Sequence, residues 1–223
     1  MKNSMKITLI TLAIILLAVN VNTCNSSTKD KTEGTRMSIA IILGSTRKGR
    51  SSDKIGKEIK SIFDKRTDVN VEILDLMDFN LPFFNDETPP ASRTIITDPA
   101  TQKWSDVISK KDAFIIVSPE YNSGYPGVLK NALDSLYKEW NNKPVAFVVY
   151  SGGASGGTSV LAQLRQVAKG LEMLPVDADI KIPTSWKAFN AKGKLTHERF
   201  EEQLDLMMEQ LKKARVSVDE PVN

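Results

Sequence analysis

The sequence predicts an α/β protein built on one doubly wound parallel sheet, and three observations carry that prediction. Three short runs, residues 39–43, 113–117 and 145–149, are apolar at every position. A strand with one wet face alternates, so unbroken apolar runs mean burial on both faces, as in a parallel sheet covered by helices. Segments with helical apolar spacing separate the runs, which is the pattern of successive βαβ units. Loops rich in Gly, Ser and Pro follow the runs directly. Ligands of such sheets sit beyond the carboxyl ends of the strands, where the strand order reverses.

In chain order, the first run precedes Ile55, Ile59, Ile62 and Phe63, which share one helical face. Val69, Val71 and Ile73 alternate with polar partners before Leu74 and Leu76, as in a strand nearer an edge. Residues 100–110 form a weaker helix, closed by Lys110 and Lys111. Val128, Leu129, Ala132, Leu133 and Leu136 make the stripe after the second run. Val160, Leu161, Leu164, Val167, Ala168 and Leu171 make the one after the third. A fifth strand is expected within residues 176–182, and Phe200, Leu204, Met207, Met208 and Leu211 close the chain with a last helix. Right-handed crossovers fix the handedness. The Met and aromatic residues of these stripes are core positions.

The N-terminus is a different kind of sequence. Lys2 and Lys6 precede a run, residues 7–21, broken only by Thr8, Thr11 and Asn20. That is the charged and apolar order of a secretory signal, and it is shorter than the ~20 residues of a spanning helix. The lone cysteine, Cys24, follows at once, and residues 25–36 are a polar tether. The arrangement resembles a lipoprotein signal, although Val21-Asn22-Thr23 departs from the usual small-residue box. The expected organisation is a signal peptide over residues 1–23, a tether over 24–36 and one domain over 37–223. The protein would then be exported or lipid-anchored through Cys24 in the cell envelope. Another signal peptide, or a cytoplasmic protein whose translation starts at Met37, remains open.

With 223 residues, 41% hydrophobic and 26% charged, the chain has a globular composition, sufficient for one full core. The net charge of +3 includes Lys2 and Lys6. It forces no basic face, so no nucleic-acid partner is expected.

Three loops carry the chemistry. Gly44-Ser45-Thr46-Arg47-Lys48-Gly49-Arg50-Ser51-Ser52 runs from the first strand into the first helix. Backbone N–H groups at a helix start, the helix dipole and an arginine fork suit a phosphate. The loop is neither a Walker A sequence nor a G-x-G-x-x-G fingerprint, and an ordinary capped turn is the alternative. Ser118-Pro119-Glu120-Tyr121-Asn122-Ser123-Gly124-Tyr125-Pro126-Gly127 is stiffened by two prolines, and Gly124 and Gly127 let backbone approach a ligand. Tyr121 and Tyr125 add flat faces suited to a planar heteroaromatic ring, or else they merely pack. Ser151-Gly152-Gly153-Ala154-Ser155-Gly156-Gly157-Thr158 permits close approach to a ring edge, or serves as a flexible connector.

Gly44-Ser45-x-Arg47, Pro119-Glu120-Tyr121-Asn122 with Pro126-Gly127-x-Leu129-Lys130-Asn131-Ala132-x-Asp134, and the Gly-rich third loop resemble the NADPH-dependent FMN reductase family, as does Leu81-Pro82-Phe83-Phe84. The resemblance spans residues 38–184. It implies a flavodoxin-like five-stranded sheet in the order 2-1-3-4-5, bound FMN, and NADPH or NADH as hydride donor. By the same resemblance, Ser45, Arg47 and Ser52 bind the FMN phosphate. Pro119, Glu120, Tyr121 and Asn122 embrace the ring largely through backbone, and Ser151, Gly152 and Gly153 close its edge. Arg50 departs from the serine of many members and either joins the phosphate site or faces solvent.

The implied activity is a ping-pong transfer from NAD(P)H through FMN to a small acceptor: a flavin, quinone, azo compound or metal ion. A homodimer or homotetramer is implied too, built on the helix after the second loop with Tyr137 and Trp140. The flavin carries the chemistry, so no catalytic side chain or metal is expected, and His197, the sole histidine, is assigned to the surface. A non-enzymatic electron carrier, or an exported flavin-binding protein without turnover, is the alternative.

Overall fold

The computed structural model describes residues 36–219. The expected signal peptide, Cys24 and all of the tether except Arg36 lie outside them. Strands β1 (Met37–Leu43), β2 (Val69–Asp75), β3 (Ala113–Pro119) and β4 (Pro144–Tyr150) alternate with helices α1 (Ser52–Phe63), α2 (Pro99–Ser109) and α3 (Gly127–Asp134). Helix α4 (Thr158–Gly170), strands β5 (Leu174–Pro175) and β6 (Ile180–Ile182), and helix α5 (Phe200–Asp219) complete the chain. The sheet is parallel, in the order β2-β1-β3-β4-β5, with β6 also on β4.

Alternation along the strands explains the unbroken apolar runs. Ile39, Ile41 and Leu43 of β1 face a layer with Ile55, Ile59 and Phe63 of α1 and Leu204, Met207 and Leu211 of α5. Ala40 and Ile42 face the opposite layer, with Trp104 of α2, Leu129 of α3 and Val160 of α4. Each buried Ile, Leu, Val, Phe or Met among them contributes about 1.5–3 kcal/mol by leaving water. Both faces of the central strands therefore need apolar residues.

Two details differ from expectation. The fifth strand is split: β5 and β6 pair successive parts of β4, and the Val176 amide N–H still donates to the Val145 carbonyl at 2.9 Å. The break falls at Asp177 and Asp179, both ion-paired with Arg165 of α4 at 2.7 and 2.6 Å. The Asp179 amide N–H turns back onto the Asp177 carbonyl at 2.9 Å, and that local turn interrupts the ladder. Trp140, expected to join Tyr137 in an assembly surface, is fully buried. It packs edge-on against Trp104 and Phe114, with centroids at 6.0 and 4.9 Å, and its Nε1–H donates to the Leu133 carbonyl at 3.1 Å. Among the described residues, no helix is long and apolar enough to cross a membrane.

Candidate functional site

The loops leaving β1, β3 and β4 converge at the carboxyl edge of the sheet, around a cleft of about 460 Å³. This is the point where the order reverses, with β1 and β3 at the centre. Arg47, Pro119, Glu120, Tyr121, Ser151 and Gly152 of the expected set line it. Ser45 and Ser52 are buried, each in contact with a lining tyrosine. Asn122 and Gly124 occupy the tip of the second loop, and Gly153 adjoins Gly152.

The first loop begins with a tight approach to β3. The Gly44 amide N–H donates to the Val117 carbonyl at 2.9 Å, and a Cβ on Gly44 would stand 2.9 Å from the Leu129 side chain. Ser45 Oγ lies 2.8 Å from the Tyr121 hydroxyl and accepts from the Arg47 amide N–H at 3.3 Å. The Arg47 side chain is exposed. Ser52 opens α1, and its amide N–H donates to the Tyr150 hydroxyl at 3.1 Å. Its own Oγ is buried and has no hydrogen-bond partner, alone in this among the side chains of the described residues.

Arg50 does not face solvent: it is 7% exposed. Its Nε donates to Asp53 at 2.5 Å, Nη1 to the Ser45 carbonyl at 2.7 Å, and Nη2 to Asp75 at the end of β2. All three nitrogens are engaged within the chain. Arg50 buckles the first loop to β2 and fixes where Ser45 stands.

The second loop turns through Tyr121-Asn122-Ser123-Gly124. The Tyr121 amide N–H donates to the Gly124 carbonyl at 2.8 Å, and the Gly124 amide N–H returns to Tyr121 at 3.0 Å. Asn122 and Ser123 have φ of 50° and 63°. Positive φ at both central positions is the type I′ pattern, sparsely populated outside glycine, and such strain concentrates at ligand-binding loops. The Gln163 side-chain amide of α4 donates to the Ser123 carbonyl at 2.7 Å and braces the tip. Glu120 lines the cleft, yet its Oε2 accepts the amide N–H groups of Ser159 and Val160, at 3.0 and 3.2 Å. The carboxylate thus caps α4, whose own N-cap, Gly157, has no side chain to do so. Gly157 stands at φ 97°, where a Cβ would meet Val149 at 2.9 Å.

In the third loop, Ser151 Oγ donates to the Gly153 carbonyl at 3.0 Å. The loop is clamped from outside: the Thr184 and Ser185 amides donate to the Gly153 and Ser151 carbonyls, at 3.0 and 2.9 Å. A Cβ added to Gly152 or Gly153 would meet no protein atom within 4 Å.

The clamp belongs to a fourth wall that the loop motifs do not include. Ser185, Trp186, Phe189 and Asn190, from the segment after β6, line the cleft together with Lys54 and Tyr150. Tyr150 is 5% exposed, and burial pushes its phenol up to about 12, so it stays neutral and holds the Ser52 amide. Sequence held one signal for this wall: every loop at the carboxyl edge of a parallel sheet borders the crevice, and the one after the fifth strand carries a tryptophan. His197 lies half-buried, with Nε2 3.1 Å from Gln203 Oε1. No group of three or more His, Cys, Asp or Glu side chains suited to a metal occurs among the described residues.

A parallel sheet of this order, with its cleft at the reversal point, defines a flavodoxin-like α/β protein. The sequence matches the NADPH-dependent FMN reductase family over residues 37–187, and the chain belongs to that family of oxidoreductases. It is 34% identical over 158 residues to the NAD(P)H-dependent FMN reductase LOT6 of Saccharomyces cerevisiae, covering 66% of this chain and 82% of that one. A quinone reductase of Pseudomonas putida is 31% identical over 145 residues, covering 61% of this chain and 72% of the other. Among solved structures, FerB of Paracoccus denitrificans, a flavoenzyme NAD(P)H:(acceptor) oxidoreductase, superposes with a TM-score of 0.65 at 25% identity. That match covers 80% of this chain and 98% of FerB.

Proposed function

We propose that the cleft binds FMN and that the protein passes electrons from NADPH or NADH to a small acceptor by a ping-pong mechanism. The observation that carries this reading is the Ser52 hydroxyl, buried and unpartnered at the start of α1. Leaving a buried hydroxyl unsatisfied costs about 1–3 kcal/mol. A phosphate oxygen at the helix N-terminus satisfies it where the dipole favours negative charge. Ser45 and exposed Arg47 complete the phosphate site. The backbone of Pro119, Glu120, Tyr121, Asn122 and Gly124 borders the ring, and the open space at Gly152 and Gly153 takes its edge beside Ser151.

Bound there, FMN would supply a ring that accepts a hydride from NAD(P)H and yields electrons to the acceptor in two separate half-reactions. The chain's own groups position rather than react. Glu120 is occupied as a helix cap, Tyr150 is held neutral, and Arg50 serves the loop through Asp53 and Asp75. Heat release of the cofactor and chromatography test the assignment. One FMN per chain is the expected result, and stoichiometric FAD, or no flavin taken up when FMN is added, rejects it.

Assembly and location extend the proposal. A homodimer, or a tetramer of such dimers, draws on exposed apolar side chains after β2, where Phe83 is 85% and Ile95 73% exposed, rather than on Trp140. A monomer by light scattering at micromolar concentration contradicts it. Lipid anchoring through Cys24 rests on Lys2, Lys6 and the short apolar run after them. A diacylglyceryl-modified cysteine supplies the two chains that stable anchoring needs. Mass measurement of the native N-terminus decides: lipid on Cys24 supports it, and a start at Met37 rules it out.

A further inference from the structure

The fourth wall of the cleft has chemistry that cofactor binding does not use. Trp186 lines the cleft and is 68% exposed, whereas Trp104 and Trp140 are fully buried. The Lys187 ammonium sits 4.6 Å from the centroid of the Trp186 ring, and the Lys54 ammonium 5.2 Å from that of Phe189. Both rings line the cleft, as does Lys54 itself, and Lys187 lies beside it against the Trp186 ring. Residues 183–196 contain Lys187, Lys192 and Lys194 and no acid, and the first loop adds exposed Arg47 and Lys48, its Arg50 being paired with Asp53 and Asp75. The carboxylate that does line the cleft, Glu120, has one oxygen turned to the amide N–H groups of Ser159 and Val160 at the start of α4. The chain as a whole is only +3, so the mouth concentrates positive charge.

We infer that the segment between β6 and α5 is the acceptor-binding wall, and that Trp186 and Lys187, with Lys54, select planar aromatic acceptors bearing a negative group, such as sulfonated quinones. The inference rests on the cofactor reading above. An indole offers a flat apolar face for stacking, and Lys187 occupies only one of its two faces. The lysines attract the anionic substituent in a cleft where field lines are concentrated. The phosphates of a nicotinamide nucleotide share this chemistry, so the test separates acceptor from donor.

The test is equilibrium dialysis of the FMN-loaded protein against anthraquinone-2-sulfonate, without NAD(P)H, followed by steady-state KM values. Aromatic stacking supports an expected loss of about tenfold or more in Trp186→Leu, with Trp186→Phe staying near the parent. FMN content stays unchanged in both. Lys54→Gln with Lys187→Gln raises the KM of the sulfonated acceptor severalfold more than that of neutral 2-methyl-1,4-naphthoquinone. Unchanged dialysis binding in Trp186→Leu, equal effects on charged and neutral acceptors, or a KM change confined to NAD(P)H each overturns the inference while leaving the FMN assignment standing. A parent protein that takes up no FMN overturns both.

Discussion

The Tyr150 hydroxyl, at the end of β4, accepts the amide N–H of Ser52, at the start of α1, across a distance of 3.1 Å. That bond ties the strand before the third loop to the helix after the first. It belongs to a set that fixes each loop through its neighbours: Tyr121 to Ser45, Glu120 to Ser159 and Val160, Arg50 to Asp75, and Ser185 to Ser151. The cleft is thus shaped by contacts between loops, and each contact can be removed separately.

Tyr150→Phe leaves the Ser52 amide buried without its acceptor, which should cost about 1–3 kcal/mol in a urea melt. The alkaline behaviour should change too. The folded phenol titrates at about 12, above its ordinary value near 10, so its contribution is complete below pH 10 and is lost as pH rises through 12. Stability of the parent should fall over that window by roughly 2–3 kcal/mol more than that of Tyr150→Phe. Parallel profiles would mean the phenol is not so buried.

Ser52→Ala separates binding from folding. The buried hydroxyl has no protein partner, so the flavin-free variant should be at least as stable as the parent, whereas FMN affinity falls about three- to tenfold. Arg47→Ala, at an exposed position, should lose about 10- to 150-fold in FMN affinity for a charge-assisted contact of ~1.5–3 kcal/mol. Riboflavin, which lacks the phosphate, should be affected much less by either change. Fluorescence titration with both ligands provides the comparison, and equal losses reject both residues as phosphate ligands.

Glu120→Ala removes the cap of α4 and should destabilise the protein by about 1 kcal/mol. Glu120→Gln, which keeps one acceptor oxygen, should lose less. Hydrogen exchange at Ser159 and Val160 checks the cause, since only loss of the cap speeds exchange at those two amides.

The parts of this molecule legible in its sequence are those where a local pattern has a single physical cause. Residues 39–43, 113–117 and 145–149 could be buried on both faces only inside a covered sheet, and β1, β3 and β4 contain them. The three loops were legible because composition marks them and their position follows from the strands. Trp186 was legible only by position, as a tryptophan in the loop after the expected fifth strand, because no composition marks that loop and its place on the cleft depends on β6 pairing with β4. Arg50 was hidden similarly: its partner Asp75 is 25 residues away on another strand. The split between β5 and β6 falls at a turn from Asp177 to Asp179, beside Arg165, which periodicity does not encode.

Lys143, just before β4, provides a test at milder pH. Its ammonium donates to the carbonyls of Ile108 and Ser109, at 2.9 and 3.0 Å, closing the C-terminus of α2. Burial lowers its pKa to about 8, against the opposing pull of Asp112 and Glu139. A cation whose folded pKa lies below its unfolded one is held charged at a cost near neutrality, and that cost fades as the group loses its proton. Stability contributed by Lys143 is therefore fully present above the ordinary lysine value, about 10.4, and is lost as pH falls through 8. From pH 7.5 to 9.5 the parent should gain roughly 1–2 kcal/mol relative to Lys143→Met, which carries no charge. The window closes before Tyr150 begins to titrate, so the two groups can be read apart in one series of urea melts. A parent that gains nothing over Lys143→Met in that range would show that the two carbonyls fully compensate the buried charge.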